Sequence, residues 1–430
     1  TKADWSILDT NIPAAENTRI TLNYNNSGVP ESKGYLDYIL LKSKRMLTGY
    51  RKQFPFQYDA AATGTQVGEY QISNAATIPQ VWDITDIYNV TKASNSNNQS
   101  SFSFKSNFGS LRKYIAVDAS DYYTPSVDSR PRVANQNLKG TIFLNAQNQF
   151  QDIDYLIITP NFLKAQAEKL ANFHRNYSQM NVKVVTLESI YQEFSSGKQD
   201  IGAIRNLVKY VYFNASTPAA RVKYVNLFGD ASYDFKNRIS VASNIVPIYH
   251  ALNSYTVDPS SFASDDFFGL MDPDEGNLDS PYPQIVGEVD IAVGRMIAST
   301  TKQADELVTK VIDYHDIKSY GSWRNNIVVI ADDADSTSDA TLQNNINSMA
   351  ETIVAQKPFL NYEKVLLDSY VQETSAGGSR YPKAREDVFG LFEKGALVVN
   401  YLGHGGEDGL SQERIWEKSD GQNLNNRYKY

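Results

Sequence analysis

The chain has 430 residues, with 41 Lys and Arg against 49 Asp and Glu, a formal balance of −8. That acidic excess, without any clustered Lys and Arg, argues against a nucleic-acid binder, which must neutralise phosphates. Cysteine is absent, which excludes disulfides, thiolate metal sites and a cysteine nucleophile among these residues.

No apolar run approaches the roughly 18–20 residues that cross a bilayer. Thr1 to Trp5 lack the basic-then-apolar pattern of a signal peptide, so the chain is either cytosolic or already stripped of a leader. The 28 tyrosines and the Asn/Ser/Thr-rich texture favour an exported surface protein. At roughly 100–200 residues per domain the length suggests two to four domains.

Up to about residue 150 short β-prone runs alternate with polar turns: Tyr35–Leu41, Val81–Thr85, Ser101–Phe104 and Tyr114–Val117. Thr91–Ser101, almost all Asn, Ser and Gln, reads as an exposed loop. Residues 1–150 are therefore expected to form a β-rich domain. Beyond them apolar strands alternate with amphipathic helices. Strands are expected at Tyr155–Thr159, Val182–Leu187, Val222–Phe228, Val289–Val293, Asn326–Ile330, Lys364–Leu367 and Ala396–Leu402. Helical spacing marks Phe162–Tyr177, Ile201–Tyr212, Asp305–Ile317 and Thr341–Ala355. Such alternation implies α/β architecture with a mainly parallel sheet. The polar insertion Asp230–Pro283 and the Ser319–Arg324 joint suggest two subdomains, 151–320 and 321–430.

In open α/β sheets, function gathers beyond the carboxyl ends of strands. Four of the expected strand ends carry candidates. Val222–Phe228 runs into Gly229-Asp230, Val289–Val293 into Gly294-Arg295, Asn326–Ile330 into Ala331-Asp332-Asp333, and Ala396–Leu402 into Gly403-His404-Gly405-Gly406. His404 closes an apolar strand between glycines that leave room for a substrate backbone. A neutral imidazole there can take a proton from a nucleophile and return it to a leaving amine. The Gly405 amide could face a developing oxyanion. The plainer reading is a histidine in a loop hydrogen-bond network. A phosphate-cradling loop is a third, although Gly403–Gly409 lacks the Lys-Ser/Thr of a P-loop. His174 and His315 fall inside expected helices, and nothing pairs with His250. Asp272, Asp274 and Asp279 bracket a glycine turn with the oxygen donors that suit calcium, and Asp230 could join them if the insertion folds back. The twelfth-position glutamate of an EF-hand is missing, and a solvated acidic turn is the alternative.

Asn400-Tyr-Leu-Gly-His404-Gly-Gly406 closely resembles the catalytic-histidine motif of the gingipain family of cysteine peptidases. Asp290-Ile-Ala-Val-Gly-Arg295, Tyr224–Asp230 and Ser264-Asp-Asp-Phe-Phe-Gly269 are similar to that family in the same order. Val81–Thr85, Gly321–Asn325, Ile330–Asp333 and Gly405–Gly409 look more like one branch, the signal peptidases and sortases of the bacterial type IX secretion system. The resemblance implies a caspase-like α/β fold in two subdomains and thiol-dependent peptide cleavage, with His404 as base and acid. It also implies that Asp290 orients the imidazole, that Gly405 supplies an oxyanion donor and that structural Ca²⁺ is bound.

For the branch it implies an enzyme on the cell surface, attached to the outer membrane of a Gram-negative bacterium. There it would remove the C-terminal sorting domain of secreted cargo and pass the new terminus to an anionic lipopolysaccharide. Its partners would be the outer-membrane barrel PorV, with PorQ and PorZ in an attachment complex. The family's nucleophilic cysteine lies one strand beyond the histidine motif, so these 430 residues are expected to stop short of it and to be inactive alone. An inactive relative serving as a docking module is the alternative.

Overall fold

A computed structural model describes residues 19–429, apart from 31, 37, 128–132, 240–242, 252–261, 277, 279–286, 335–338 and 407. Thr1 to Trp5, Asp279 and Asp335 therefore lie outside the described residues. The chain divides into two compact units at Ala134/Asn135. Ile142, Phe143 and Ile153, which precede or flank the texture change near 150, are buried in the α/β core.

The first unit is antiparallel β. Val67–Ser73 pairs with Ser101–Asn107, and a four-stranded sheet runs Phe54–Phe56, Tyr114–Val117, Gln80–Asp83, Thr91–Ser94. Tyr70 and Ile72 alternate inward along their strand and meet Phe54, Phe102 and Tyr114 in one core. Two expectations fail here. Among the described residues Tyr35–Leu41 forms no strand, and Tyr35, Leu36, Tyr38, Ile39 and Leu40 are exposed. β propensity is a packing preference, and this run has no neighbouring strand to pack on. Thr91–Ser94 is a strand instead of a loop; as an edge strand it turns inward only the small Ala93, which leaves no apolar signature.

The second unit is α/β, with its elements labelled here along this unit. One parallel sheet contains β1 (Tyr155–Thr159), β2 (Val182–Thr186), β3 (Tyr224–Phe228) and β4 (Ala292–Met296), in the order β4-β3-β1-β2. A second contains β5 (Asn326–Ala331), β6 (Asn361–Leu366) and β7 (Val398–Leu402), in the order β6-β5-β7, also parallel. Thus α/β class, two parallel-sheet subdomains and a preceding β-rich region are all present, the arrangement expected of the caspase-like resemblance.

Helices α1 (Lys164–Tyr177), α2 (Leu187–Phe194), α3 (Ile201–Phe213) and α4 (Thr301–His315) accompany the first sheet, and α5 (Ala340–Gln356) and α6 (Pro382–Lys394) the second. Thr300 opens α4 with a capping box to Gln303, which satisfies two otherwise orphaned amides. All six residues of β5 are buried. Its odd residues pack with Ile346 and Ala350 of α5, its even residues with Ala384 and Val388 of α6. Each such aliphatic residue contributes about 1.5–3 kcal/mol by leaving water. The second sheet is thereby fixed from both faces.

The fourth strand is shifted from the expected Val289–Val293. Val289 is exposed, and the strand starts at Ala292 and includes Gly294 and Arg295. A buried guanidinium inside the strand hid its extent. Arg295 pairs with Asp265 through Nε at 2.8 Å and Nη2 at 2.7 Å and donates to the carbonyls of Gly229, Val246 and Pro247.

Candidate active site

Parallel pairing brings the site together. In the register of β5 with β7, Ala331 faces Leu402, so the residues after each strand become neighbours. The ladder continues one step further, with Asp332 N donating to Leu402 O at 3.1 Å. Asp332 thus arrives beside Gly403 and His404. Its Oδ2 accepts the His404 backbone N–H at 2.8 Å and lies 3.3 Å from His404 Nδ1. The side chain of Asp332 is 2% exposed and that of His404 is 55% exposed, a buried carboxylate holding a solvent-facing ring.

Gly403 is required at the crossing. A Cβ there would overlap Asp332 Cβ and come within 2.5 Å of Tyr401 Oη. The Tyr401 hydroxyl in turn donates to the His404 carbonyl. After His404 the chain turns back on itself, with Gly406 N bonded to Gly409 O and Ser411 N to His404 O. These two bonds flank the Gly405–Leu410 bridge, so the Gly405 amide falls at the position of the ladder that makes no cross-strand bond. That N–H has no partner among the described residues and remains available to an anionic oxygen. His404, Gly405, Gly406, Ser411 and Arg414 help line a cleft of about 310 Å³.

The electrostatics follow from burial. Loss of water raises the Asp332 carboxyl above its ordinary value, and neighbouring Asp333 adds to the rise, against the opposing His404 hydrogen bonds. Burial and the Asp332 charge push the Tyr401 hydroxyl well up, so it stays a proton donor. Asp333 and Glu413, both buried, each bring a carboxylate oxygen within 4.8 Å of one on Asp332.

Of the residues expected at the site, His404 and Gly405 are placed together and Asp290 is not. Asp290 precedes β4, where its carboxylate accepts from Tyr212 Oη at 3.2 Å and Met271 N at 2.9 Å. It pins the start of a strand in the first sheet. The carboxylate that meets the imidazole is Asp332, which the sequence shows as an acidic strand end but not as a neighbour of His404.

Of the calcium donors suggested by the sequence, Asp279 lies outside the described residues and the other three are not gathered with one another. Asp230 is enclosed by Ala231 N and the hydroxyls of Ser243 and Ser299, while Asp272 and Asp274 are exposed on a turn. Among the described residues the group able to hold a cation is Asp332, Asp333 and Glu413. His174 and His315 are structural. His174 bonds Ser178 and His315 bonds the Val311 carbonyl, in a shared aromatic cluster with Phe173. Burial and the facing His315 hold His174 below its ordinary value.

A ring on a glycine-flanked strand end, steered by a buried carboxylate and open to a cleft, has the geometry to take a proton from a nucleophile. The family model of peptidase family C25 matches residues 148–430, and the chain belongs to that cysteine peptidase family.

Among solved structures, dimeric latent PorU from Porphyromonas gingivalis is similar at 23% identity and a TM-score of 0.49, over 63% of this chain and 25% of that one. The complex of the pro- and mature domains of RgpB from the same organism matches at 17% identity and a TM-score of 0.43, over 64% and 53%. The Arg-specific cysteine proteinase gingipain R (RgpB) matches at 17% identity and a TM-score of 0.43, over 65% and 52%. The chain thus spans a quarter of the PorU chain and about half of each gingipain chain. No curated protein matches it.

Proposed function

We propose that the chain carries the base half of a cell-surface cysteine endopeptidase and sortase. In this reading His404 takes the proton of a thiol, the thiolate attacks a peptide carbonyl, and the Gly405 amide receives the developing oxyanion. The tetrahedral intermediate collapses as His404 passes the proton to the leaving amine. A thioester remains, which an acceptor amine attacks in place of water, its proton leaving through His404. Asp332 acts as the positioning residue that fixes which imidazole nitrogen faces the thiol. The sulfur has to come from outside these 430 residues, which contain no cysteine. The observation that carries the reading is the contact between His404 Nδ1 and the sealed Asp332 carboxylate.

The substrate class rests on the branch-like stretches Val81–Thr85, Gly321–Asn325, Ile330–Asp333 and Gly405–Gly409. They support cleavage of the C-terminal sorting domain from type IX secretion cargo and transfer of the new terminus to an anionic lipopolysaccharide. They likewise support a place on the outer membrane beside PorV, PorQ and PorZ. In cells whose own copy carries His404→Ala, cargo is expected to keep its sorting domain. Fully processed cargo in those cells would leave the docking-module reading in possession.

A further inference from the structure

Asp332 gives only one of its oxygens to His404. Oδ2 meets the His404 N–H and ring, while Oδ1 has no hydrogen-bond partner among the described residues. Asp333 repeats the pattern. Its Oδ2 accepts from Tyr381 Oη at 2.9 Å and from Gln372 Nε2, and its Oδ1 is left without a partner. The two residues are 2% and 7% exposed, and Glu413 beside them is 5% exposed. One carboxylate oxygen from each of the three lies within 4.8 Å of the others. Among the described residues no Lys or Arg pairs with Asp332 or Asp333; their neighbours are His404 and the Tyr401 hydroxyl for the first, Tyr381 and Gln372 for the second.

Carboxylates crowded away from water repel one another, and each buried charge costs several kcal/mol unless it is countered. Oxygens bound to one Ca²⁺ at about 2.3–2.6 Å fall no more than about 5 Å apart, so the three oxygens fit a single coordination sphere. Two unpartnered, sealed oxygens then gain a ligand in place of an uncompensated desolvation. We propose that Asp332, Asp333 and Glu413 form a binding site for a hard divalent cation, Ca²⁺ by its donor set. These donors are distinct from Asp230, Asp272 and Asp274. The cation bonds one oxygen of Asp332 and leaves the other to the imidazole, so that occupancy holds the positioning carboxylate in place. That link to His404 rests on the peptidase reading; the cation site itself does not.

The test is a calorimetric titration of the EDTA-treated, dialysed 430-residue chain with CaCl2, joined to tyrosine-sensitised Tb³⁺ emission as a reading on the unsubstituted chain. The expected result is saturable binding, with Tb³⁺ displaced by Ca²⁺. It is expected to weaken by at least about tenfold in both Asp333→Asn and Glu413→Gln, each checked for an unchanged circular dichroism spectrum. His404→Ala is expected to bind Ca²⁺ as the parent does, which separates failure of the cation site from failure of the peptidase reading. Absence of saturable Ca²⁺ and Tb³⁺ binding by the parent chain overturns the proposal. So does binding of undiminished affinity in the two folded variants.

Discussion

Replacing Gly403 by Ala perturbs the site through one methyl group. The added carbon would overlap Asp332 Cβ and stand 2.5 Å from Tyr401 Oη and 2.8 Å from Tyr401 Cζ. Neither neighbour can yield freely, because Asp332 is sealed between β5 and β7 and the Tyr401 hydroxyl is bonded to the His404 carbonyl. Overpacking of this kind costs about 1–3 kcal/mol. Shifting Asp332 also loosens its hydrogen bond from the His404 N–H, a charged bond of about 1.5–3 kcal/mol. Stiffening the unfolded chain returns about 0.4–1 kcal/mol. The net expectation is a loss of about 2–4 kcal/mol.

Gly406→Ala and Gly405→Ala are the controls. A Cβ at Gly406 meets nothing within 4 Å, and at Gly405 its nearest neighbour is 3.6 Å away. Urea unfolding followed by circular dichroism gives the comparison directly. Gly403→Ala should unfold at clearly lower urea than either control, which should stay within about 1 kcal/mol of the parent. If all three variants unfold together, the crossing of Gly403 with Asp332 is not as described.

Three further expectations test other parts of the molecule. Asp265→Asn leaves the Arg295 guanidinium buried without its counter-charge and should cost about 3 kcal/mol, read as a lower thermal midpoint. His174 has a folded-state value held below its ordinary one, so the unfolded chain binds its proton more readily, and stability should fall as pH drops below about 6.5. His174→Gln should make that decline shallower between pH 7 and 5, and an unchanged slope would contradict the assignment. Asp290→Asn should lower stability through the Met271 and Tyr212 bonds while leaving the His404 ring's NMR signals in place; displaced ring signals would return Asp290 to the site.

The sequence made the α/β rhythm legible because β1, β5 and β7 are short runs dominated by apolar residues, set between amphipathic helical stretches. It also exposed His404 and Gly405, whose neighbours along the chain are their signal. The partner of His404 was not legible in the same way. Asp332 and Asp290 both stand near strand ends, and only the order β6-β5-β7 decides which carboxylate meets the ring. Strand order is a long-range property that periodicity does not encode. Helices α2 and α6 escaped notice for a local reason. The first follows β2 with only Thr186 as its cap, and the second carries charges among few apolar anchors. The cluster of three carboxylates was hidden by distance along the chain, since Glu413 reaches Asp332 and Asp333 only through the turn after His404.

The most direct test is a comparison of kcat and KM for His404→Ala and its parent in the thiol-bearing protein purified from its source, acting on a peptide spanning a sorting-domain junction. His404→Ala is expected to lower kcat by about 10²–10⁴-fold with KM little changed, the signature of lost proton transfer. Parent-like kcat in His404→Ala would show that the imidazole beside Asp332 moves no proton in the reaction.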